Sequence, residues 1–216
     1  WIRKAELENL NGKNIKIHLL DGLRNILPYG MDYYFQNEYS NLSDAYKKNE
    51  LLEGSSIALF LLSSIPVDRA EPSEALKATT VWSHGLKNAS YLISEIQIDD
   101  FKNGDLLKGE RDIKGKKGAY LINSTLDLNK GESESWFIIA ELSQDATDVA
   151  ALESFVHNTE KISIKLEEEI LKGTEKLIQK VASADGLQFG SEPINFARHF
   201  SNSLFNIMRG GIYSDG

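Results

Sequence analysis

The sequence predicts a mainly β protein with helices towards its C-terminal end, and three observations support this fold class. Apolar and polar residues alternate along short segments up to residue 142, which is the period of a strand with one buried face. These segments follow one another with few helical stretches between them, which favours antiparallel sheets packed as a sandwich. From Asp145 onward the apolar residues recur every three or four positions, the period of an amphipathic helix.

The first two strands are predicted on either side of a tight turn. Ala5 and Leu7 alternate with glutamates, and residues 15–19 alternate between apolar and polar side chains. Asn11-Gly12 lies between these segments, and this pair favours the positive φ angles of a two-residue hairpin turn. We therefore expect a hairpin, followed by a loop over residues 21–30, which is rich in Gly, Asn and Pro.

The next segment is open to two interpretations. Apolar residues at helical spacing after Asp32 predict a short helix that ends near Asn41. Residues 44–52 fit an extension of that helix, or equally a strand that pairs through Glu53-Gly54 with residues 57–64. We favour the short helix followed by this hairpin.

Four further strands are predicted before the C-terminal helices begin. Residues 76–86 and 90–98 are rich in β-forming residues and flank a short turn. Alternating apolar residues predict strands at 120–128 and 135–142, joined by a turn at residues 129–132.

Three helices are predicted after residue 144. Asp145 and Asp148 are placed to cap the first helix. The second begins near Glu160 and ends at Asp185-Gly186, and Pro193 begins the third. Their apolar stripes consist of Val149, Leu152 and Val156 in the first, Ile162, Leu166, Ile170, Leu177 and Val181 in the second, and Phe196, Phe200, Leu204 and Ile207 in the third.

The overall composition argues against several classes of function. The chain has 216 residues, a formal net charge of −8 and no cysteine. The negative charge disfavours nucleic acid and anionic membranes as partners, and no apolar run reaches the length of a membrane span. The histidines His18, His84, His157 and His199 form no pair at helical metal-ligand spacing, so no metal site is predicted. No other cofactor is predicted either. We expect a cytoplasmic location.

Two segments carry side chains suited to binding a sugar. Arg24, Asn25 and Tyr29 follow a predicted strand and offer hydrogen-bond donors and an aromatic face. The second segment is stiffened by two prolines, and its charged side chains can hold neutral hydroxyls by charge-assisted hydrogen bonds. The candidates there are Asp68, Arg69 and Glu71, with Trp82 beyond them as a stacking surface. The alternative is that these charges pair with one another to hold a long loop and that Trp82 belongs to the core.

Four stretches of the chain, taken in order, resemble one family. They are LDGLRNILPYGMDYYFQNEYSNLSDAYKKNEL, VDRAEPSEALKATTVW, KGAYLINSTLDLNKGESESWFIIAELSQD and RHFSNSLFNIMRGG. Together they resemble the N-terminal part of proteins of the cellobiose and 1,2-β-oligoglucan phosphorylase type.

This resemblance implies a specific domain organisation. Residues 1–142 would form an antiparallel β-supersandwich of the galactose-mutarotase type, residues 143–190 a helical linker, and residues 191–216 the start of, or a docking helix for, an (α/α)6 barrel. The general-acid Asp and the phosphate-binding residues would lie in that barrel, so no catalytic residue is assigned to this chain. Since the chain begins at Trp1 and ends directly after an apolar helix, we expect it to be a piece of a longer protein.

The leading functional hypothesis is a non-catalytic domain of a carbohydrate-active enzyme resembling inverting β-glucoside phosphorylases. It would pack on the catalytic barrel domain of the same polypeptide, shape the cleft for a β-glucan oligosaccharide, and support a homodimer. The alternative is a stand-alone carbohydrate-binding module, which requires exposed aromatic rings at Tyr29, Trp82 or Trp136. A third hypothesis is a mutarotase-like enzyme, for which His84 and Glu71 are the nominated acid–base pair.

Overall fold

The chain folds into two antiparallel β-sheets followed by helices. A computed structural model describes residues 1–31, 33–63, 76–158, 160–185 and 193–208. Within these ranges the protein is mixed α/β, with sheets of six and three strands that do not close into a barrel. The predicted antiparallel sheets and C-terminal helices are confirmed. The description "mainly β" is too narrow, because the described residues also form six helices.

The chain crosses repeatedly between the two sheets, although β3, β4 and β5 follow one another in the larger sheet. The larger sheet has the strand order β1-β9-β5-β4-β3-β7 and the smaller has the order β2-β8-β6. The strands are β1 (Ile2–Glu8), β2 (Ile15–Ile26), β3 (Lys47–Leu51), β4 (Ala58–Leu62), β5 (Ala78–His84), β6 (Ser90–Leu92), β7 (Asp112–Lys114), β8 (Gly118–Leu128) and β9 (Ser133–Gln144). The helices are α1 (Tyr33–Glu38), α2 (Ser40–Ala45), α3 (Ile98–Asn103), α4 (Ala146–Asn158), α5 (Ile162–Asp185) and α6 (Pro193–Met208).

Residues 1–163 form one compact unit, in which the two sheets share a hydrophobic core. Phe60 and Val81 of the larger sheet and Tyr120 and Ile122 of the smaller sheet are completely buried in it. The Tyr120 hydroxyl donates a hydrogen bond of 2.7 Å to the carbonyl of Ser56, so the one polar atom of this large ring is satisfied. Burial of this apolar surface is the main term that holds the two sheets together.

Helices cover the outer faces of both sheets in this unit. On the larger sheet, Trp82 of β5 meets Phe155 of α4 edge-on, with ring centroids 6.0 Å apart. On the smaller sheet, Leu92 and Leu121 form a second cluster that packs against Ile98 of α3. Strands covered on both faces need apolar or small residues at nearly every position, which explains the burial of five successive residues from Ala78 to Trp82.

The predicted hairpin at Asn11-Gly12 is wrong, because β1 and β2 belong to different sheets. The connection is fixed by the buried side chain of Asn9, whose Nδ2 donates to the carbonyls of Lys13 and Leu128 at 2.9 and 3.0 Å. The backbone N–H of Asn9 also donates to the Glu132 carbonyl at 2.9 Å. Asn9 therefore joins the β1–β2 crossover to the β8–β9 crossover, a contact between residues distant in sequence.

The predicted loop over residues 21–30 is also wrong, because β2 continues to Ile26. Two of these residues, Gly22 and Asp21, have roles in packing the strands and sheets together. A Cβ on Gly22 would lie 1.9 Å from the Tyr120 carbonyl oxygen, so only glycine allows β2 and β8 to approach this closely. Asp21 accepts a hydrogen bond of 2.6 Å from Trp136 Nε1 and forms an ion pair with Arg3. Trp136 and Arg3 both belong to the larger sheet.

The central predictions are partly confirmed. The helical segment followed by the β3–β4 hairpin is present, although it consists of α1 and α2 and extends to Ala45. β5 and β6 do not pair with each other across the predicted turn, since they lie in different sheets. The strand predicted over residues 90–98 is shorter than expected, since β6 ends at Leu92. The helix α3 begins at Ile98, with two aspartates in its first turn and Gly104 at φ 83° as its C-cap.

A second compact unit begins at Ile164 and contains most of α5 and the whole of α6. Along α5, Leu166 and Val181 of the predicted apolar stripe are buried, while Ile164, Leu171 and Ile178 are exposed. On α6, Ile194, Leu204 and Phe205 are exposed to 63%, 38% and 58%. The side chains of Phe196 and Ile207 lie outside the part of the chain that the structure describes.

Candidate functional site

The candidate site begins at a β-bulge near the end of β2. Arg24 pairs with Ala119 and Ile26 pairs with Gly118, which leaves Asn25 with no partner position on β8. Asn25 has a φ of 55°, a left-handed conformation that asparagine adopts more readily than most residues. A bulge turns its side chain away from the regular sheet pattern, and Asn25 lines a surface cavity.

This cavity has a volume of about 420 Å³, within the range of small-molecule binding sites. Four segments build it: the end of β2, the helices α1 and α2 and the start of β3, which follow one another along the chain, and the distant turn before β8. Its lining consists of Asn25, Ile26, Leu27, Tyr33, Gln36, Asn37, Ser40, Lys47 and Lys117.

The lining combines amides with one aromatic ring. Asn25, Gln36 and Asn37 each carry a group that both donates and accepts hydrogen bonds, and Ser40 adds a hydroxyl. Tyr33 is 72% exposed and offers a flat apolar face with a polar tip. Amides and an aromatic face together suit a ligand that has many hydroxyl groups on an apolar ring.

Lys47 forms the polar floor of this region. It is 2% exposed, and its Nζ donates to Gln36 Oε1 and, at 2.7 Å, to Asp44 Oδ1. A buried ammonium requires such partners because its desolvation is otherwise costly. These bonds connect β3 to α1 and α2, and they fix the orientation of the Gln36 amide.

The bulge is held by an ion pair at the cavity rim. Arg24 donates from Nε and Nη2 to the two carboxylate oxygens of Glu95, at 2.9 and 2.6 Å. These hydrogen bonds and the Arg24 charge lower the pKa of Glu95, and the charge of Lys117 and a hydrogen bond from the Asn25 backbone lower it further. Glu95 therefore fixes the backbone of Asn25 as well as the side chain of Arg24.

Among the predicted site residues that the structure describes, Asn25 alone lines the cavity, and its neighbour Arg24 lies outside the lining. Tyr29 also lies outside the lining, is 42% exposed and has Lys77 Nζ 5.5 Å from its ring centroid. Trp82 is 2% exposed beneath α4, the position of a core residue. Asp68, Arg69 and Glu71 lie outside the described residues.

The nominated acid–base pair cannot be assembled from the described chain, since Glu71 falls outside it. Its partner His84 lies at the end of β5 opposite Phe137, and partial burial lowers the pKa of the His84 imidazole. At neutral pH this favours an uncharged ring.

Sequence reasoning missed most of the cavity lining. Tyr33, Gln36, Asn37 and Ser40 come from the segment YYFQNEYSN, which was interpreted only as a helix. Its unusual content of tyrosine and amide side chains is the signal that could have found them. Lys47 and Lys117 carry no such local signal, because only the fold brings them to this place.

In the described part of the chain, no group of three His, Cys, Asp or Glu side chains is arranged to hold a metal ion. No described helix has both the length and the hydropathy of a membrane-spanning helix.

A scan against protein-family models found no match to this chain, and a search of the curated proteins found none either. The family resemblance of the sequence stays a prediction.

Proposed function

We propose that this chain is a non-catalytic carbohydrate-binding domain of a larger carbohydrate-active enzyme, of the type of the inverting β-glucoside phosphorylases. The observation that carries the proposal is the cavity in which Asn25, Gln36 and Asn37 face the same space as the exposed ring of Tyr33. Its role is to hold one end of a β-glucan oligosaccharide beside the catalytic domain.

The finer fold belongs to the same proposal. Two antiparallel sheets around one core support a β-supersandwich of the galactose-mutarotase type. The four sequence stretches that resemble the phosphorylase family support the same architecture, including a helical linker after the sandwich. We infer that the catalytic acid belongs to a barrel domain of the same polypeptide.

The exposed apolar side chains of α6 support a docking role for the C-terminal unit. Ile194 and Phe205 are both more than half exposed, and large exposed apolar residues on one helix are typical of a surface that another domain covers. The proposed occupant is the catalytic barrel of the same polypeptide, and a homodimer of the whole enzyme is the proposed assembly.

The carbohydrate-binding role is tested by titrating the 216-residue chain with a β-glucan oligosaccharide. Tyr33→Ala and Asn37→Ala are expected to weaken binding about tenfold or more, since each removes a contact to a desolvated ligand. Asn103→Ala is the matched control, because Asn103 is exposed at the end of α3 and outside the cavity lining. Equal affinities for all four proteins, or no binding by any, would reject the proposal.

A stand-alone carbohydrate-binding module is the second candidate, and one observation favours it. Tyr29, Tyr34 and Tyr39 are 42%, 68% and 53% exposed around the cavity segment, as a stacking platform requires. Under this candidate Tyr29→Ala and Tyr39→Ala weaken glycan binding as much as Tyr33→Ala does. Under the leading proposal only the substitution inside the cavity lining does so.

A further inference from the structure

We propose that the sugar bound in this cavity carries a negatively charged group, as a uronic acid does, and that Lys117 recognises that group. This inference rests on the proposed carbohydrate-binding function and revises its ligand: the oligosaccharide carries an acidic sugar at the end held in this cavity, where a β-glucan would carry a neutral glucose. It is carried by the placement of charges around the cavity and not by the family resemblance.

The first observation is that the Lys117 ammonium is available to a ligand. Lys117 is exposed on the turn before β8 and lines the cavity. Among the described residues its ammonium makes no hydrogen bond and no ion pair within 4 Å. Its charge does lower the pKa of Glu95, but the oxygens of that carboxylate already accept from Arg24. The three N–H donors of Lys117 are therefore available to a ligand.

The balance of charge around the cavity is the second observation. Among the described residues that line the cavity, the charged side chains are Lys47 and Lys117, both of them cations. Lys47 is paired with Asp44, which leaves the positive charge of Lys117 without an anionic partner in the lining. This local excess occurs in a chain of formal net charge −8, so it distinguishes the cavity from the surface as a whole.

Lys47 adds a further donor to the same lining. Its Nζ has three N–H groups, and two of them donate to Gln36 and Asp44. No described residue accepts from the third. A sugar whose hydroxyls bind the amides of Asn25 and Asn37 can thus place a carboxylate against Lys117, where a charge-assisted hydrogen bond is stronger than a neutral one.

The experiment compares two ligands that differ in one group. The 216-residue chain is titrated with methyl β-glucoside and with methyl β-glucuronide, in which a carboxylate replaces the hydroxymethyl group. The acidic sugar is expected to bind roughly fivefold tighter, the gain of one exposed ion pair. Lys117→Gln should abolish this difference, whereas Lys116→Gln, a substitution of the exposed neighbouring lysine outside the lining, should preserve it.

The outcomes separate this inference from the function on which it rests. Binding of both sugars with equal affinity overturns the inference and leaves carbohydrate binding in place. Binding of neither sugar overturns the inference, and it overturns the proposed function as well if the β-glucan oligosaccharide also fails to bind. A preference that survives Lys117→Gln, or one that is lost equally in Lys116→Gln, overturns the assignment to Lys117.

Salt and a simple anion complete the test. Added salt should reduce the preference for the acidic sugar, because it screens the exposed ammonium. Inorganic phosphate is expected to compete only weakly, since it has no ring to contact Tyr33 and few of the sugar's hydroxyls. If phosphate binds as tightly as the glucuronide, the cavity is a general anion site and the inference of an acidic sugar fails.

Discussion

Arg24 and Glu95 form a two-point ion pair across the rim of the cavity, with donor–acceptor distances of 2.9 and 2.6 Å. Arg24 belongs to β2 and Glu95 follows β6, so the pair joins two segments of the smaller sheet at the point where Asn25 leaves the regular pairing. The guanidinium thereby positions Asn25, which lines the cavity.

The first prediction concerns this positioning role. Arg24→Lys keeps the charge but cannot reproduce the two parallel hydrogen bonds, and Glu95→Gln removes the negative partner. Each is expected to weaken glycan binding several-fold, and the double variant no further, because both act through one pair. The measurement is a double-mutant cycle on the dissociation constant. Additive losses would indicate that Arg24 contacts the sugar directly.

The second prediction concerns the pH dependence of the same pair. The pKa of Glu95 is lowered from its ordinary value of 4.5, chiefly by the hydrogen bonds and charge of Arg24. A lowered pKa in the folded state means that the stabilisation is fully present above pH 4.5 and is lost as the pH falls through the lowered value. Glu95→Gln should therefore lose the corresponding acid-side slope in its free energy of unfolding, measured by urea denaturation. A Glu95 carboxyl that titrates at or above 4.5 by NMR would contradict the prediction.

The third prediction compares two buried tryptophans. Trp136 Nε1 donates to Asp21 at 2.6 Å, whereas Trp82 Nε1 is buried with no hydrogen-bond partner in the described chain. Trp136→Phe should therefore cost about 1 to 3 kcal/mol more than Trp82→Phe, because it removes a hydrogen bond to the Asp21 carboxylate, which then keeps only its contact with Arg3. Both are 4% exposed or less, which makes them a matched pair for chemical denaturation. Equal losses would show that packing alone decides both positions.

The fourth prediction concerns Asn9. Its side chain is 1% exposed and donates to the carbonyls of Lys13, Leu128 and Asn129. Asn9→Ala removes all three of these hydrogen bonds, although the Asn129 carbonyl still accepts from the Glu132 N–H, and it should cost roughly 2 to 4 kcal/mol of unfolding free energy. Asn11→Ala, at an exposed position of the same connection, should change stability by less than about 0.5 kcal/mol. Similar losses for both would contradict the proposed junction.

The fifth prediction concerns the close approach of β2 and β8. Gly22→Ala is expected to destabilise the fold by about 3 kcal/mol or more, because a Cβ would lie 1.9 Å from the Tyr120 carbonyl oxygen. Gly12→Ala is the control, since nothing lies within 4 Å of a Cβ at that position. That substitution should be neutral, or stabilising through a less flexible unfolded chain. Thermal denaturation of the two variants distinguishes these expectations.

The strands and helices were predictable wherever one face of the element decides its composition. The alternation at 120–128 is present in β8, and the apolar stripe of α5 contains the buried Leu166 and Val181. The end of β2 was not predictable, because Asp21 and Gly22 have the composition of a loop. Their reasons for being in a strand are partners more than 95 positions away, Trp136 and Tyr120.

The cavity could be predicted only at Asn25. A single sequence reports the local conformation of each segment, but it does not report which segments meet. Lys47 and Lys117 lie 70 positions apart. They line the same cavity because β3, which contains Lys47, pairs with β7, and Lys117 follows β7 in the chain. The same limit explains the wrong hairpin prediction at Asn11-Gly12, because β1 pairs with β9 and β2 pairs with β8.

The pairing of β1 with β9 has a consequence for synthesis of this protein. Ile2 lies opposite Ile139, so the first strand finds its place only after almost the whole first unit has left the ribosome. Until then its backbone hydrogen-bonding groups are open to a foreign strand, and contacts of such long range slow folding. A nascent chain stalled before Ser133 is therefore expected to be sensitive to protease, and release of the next dozen residues should protect it.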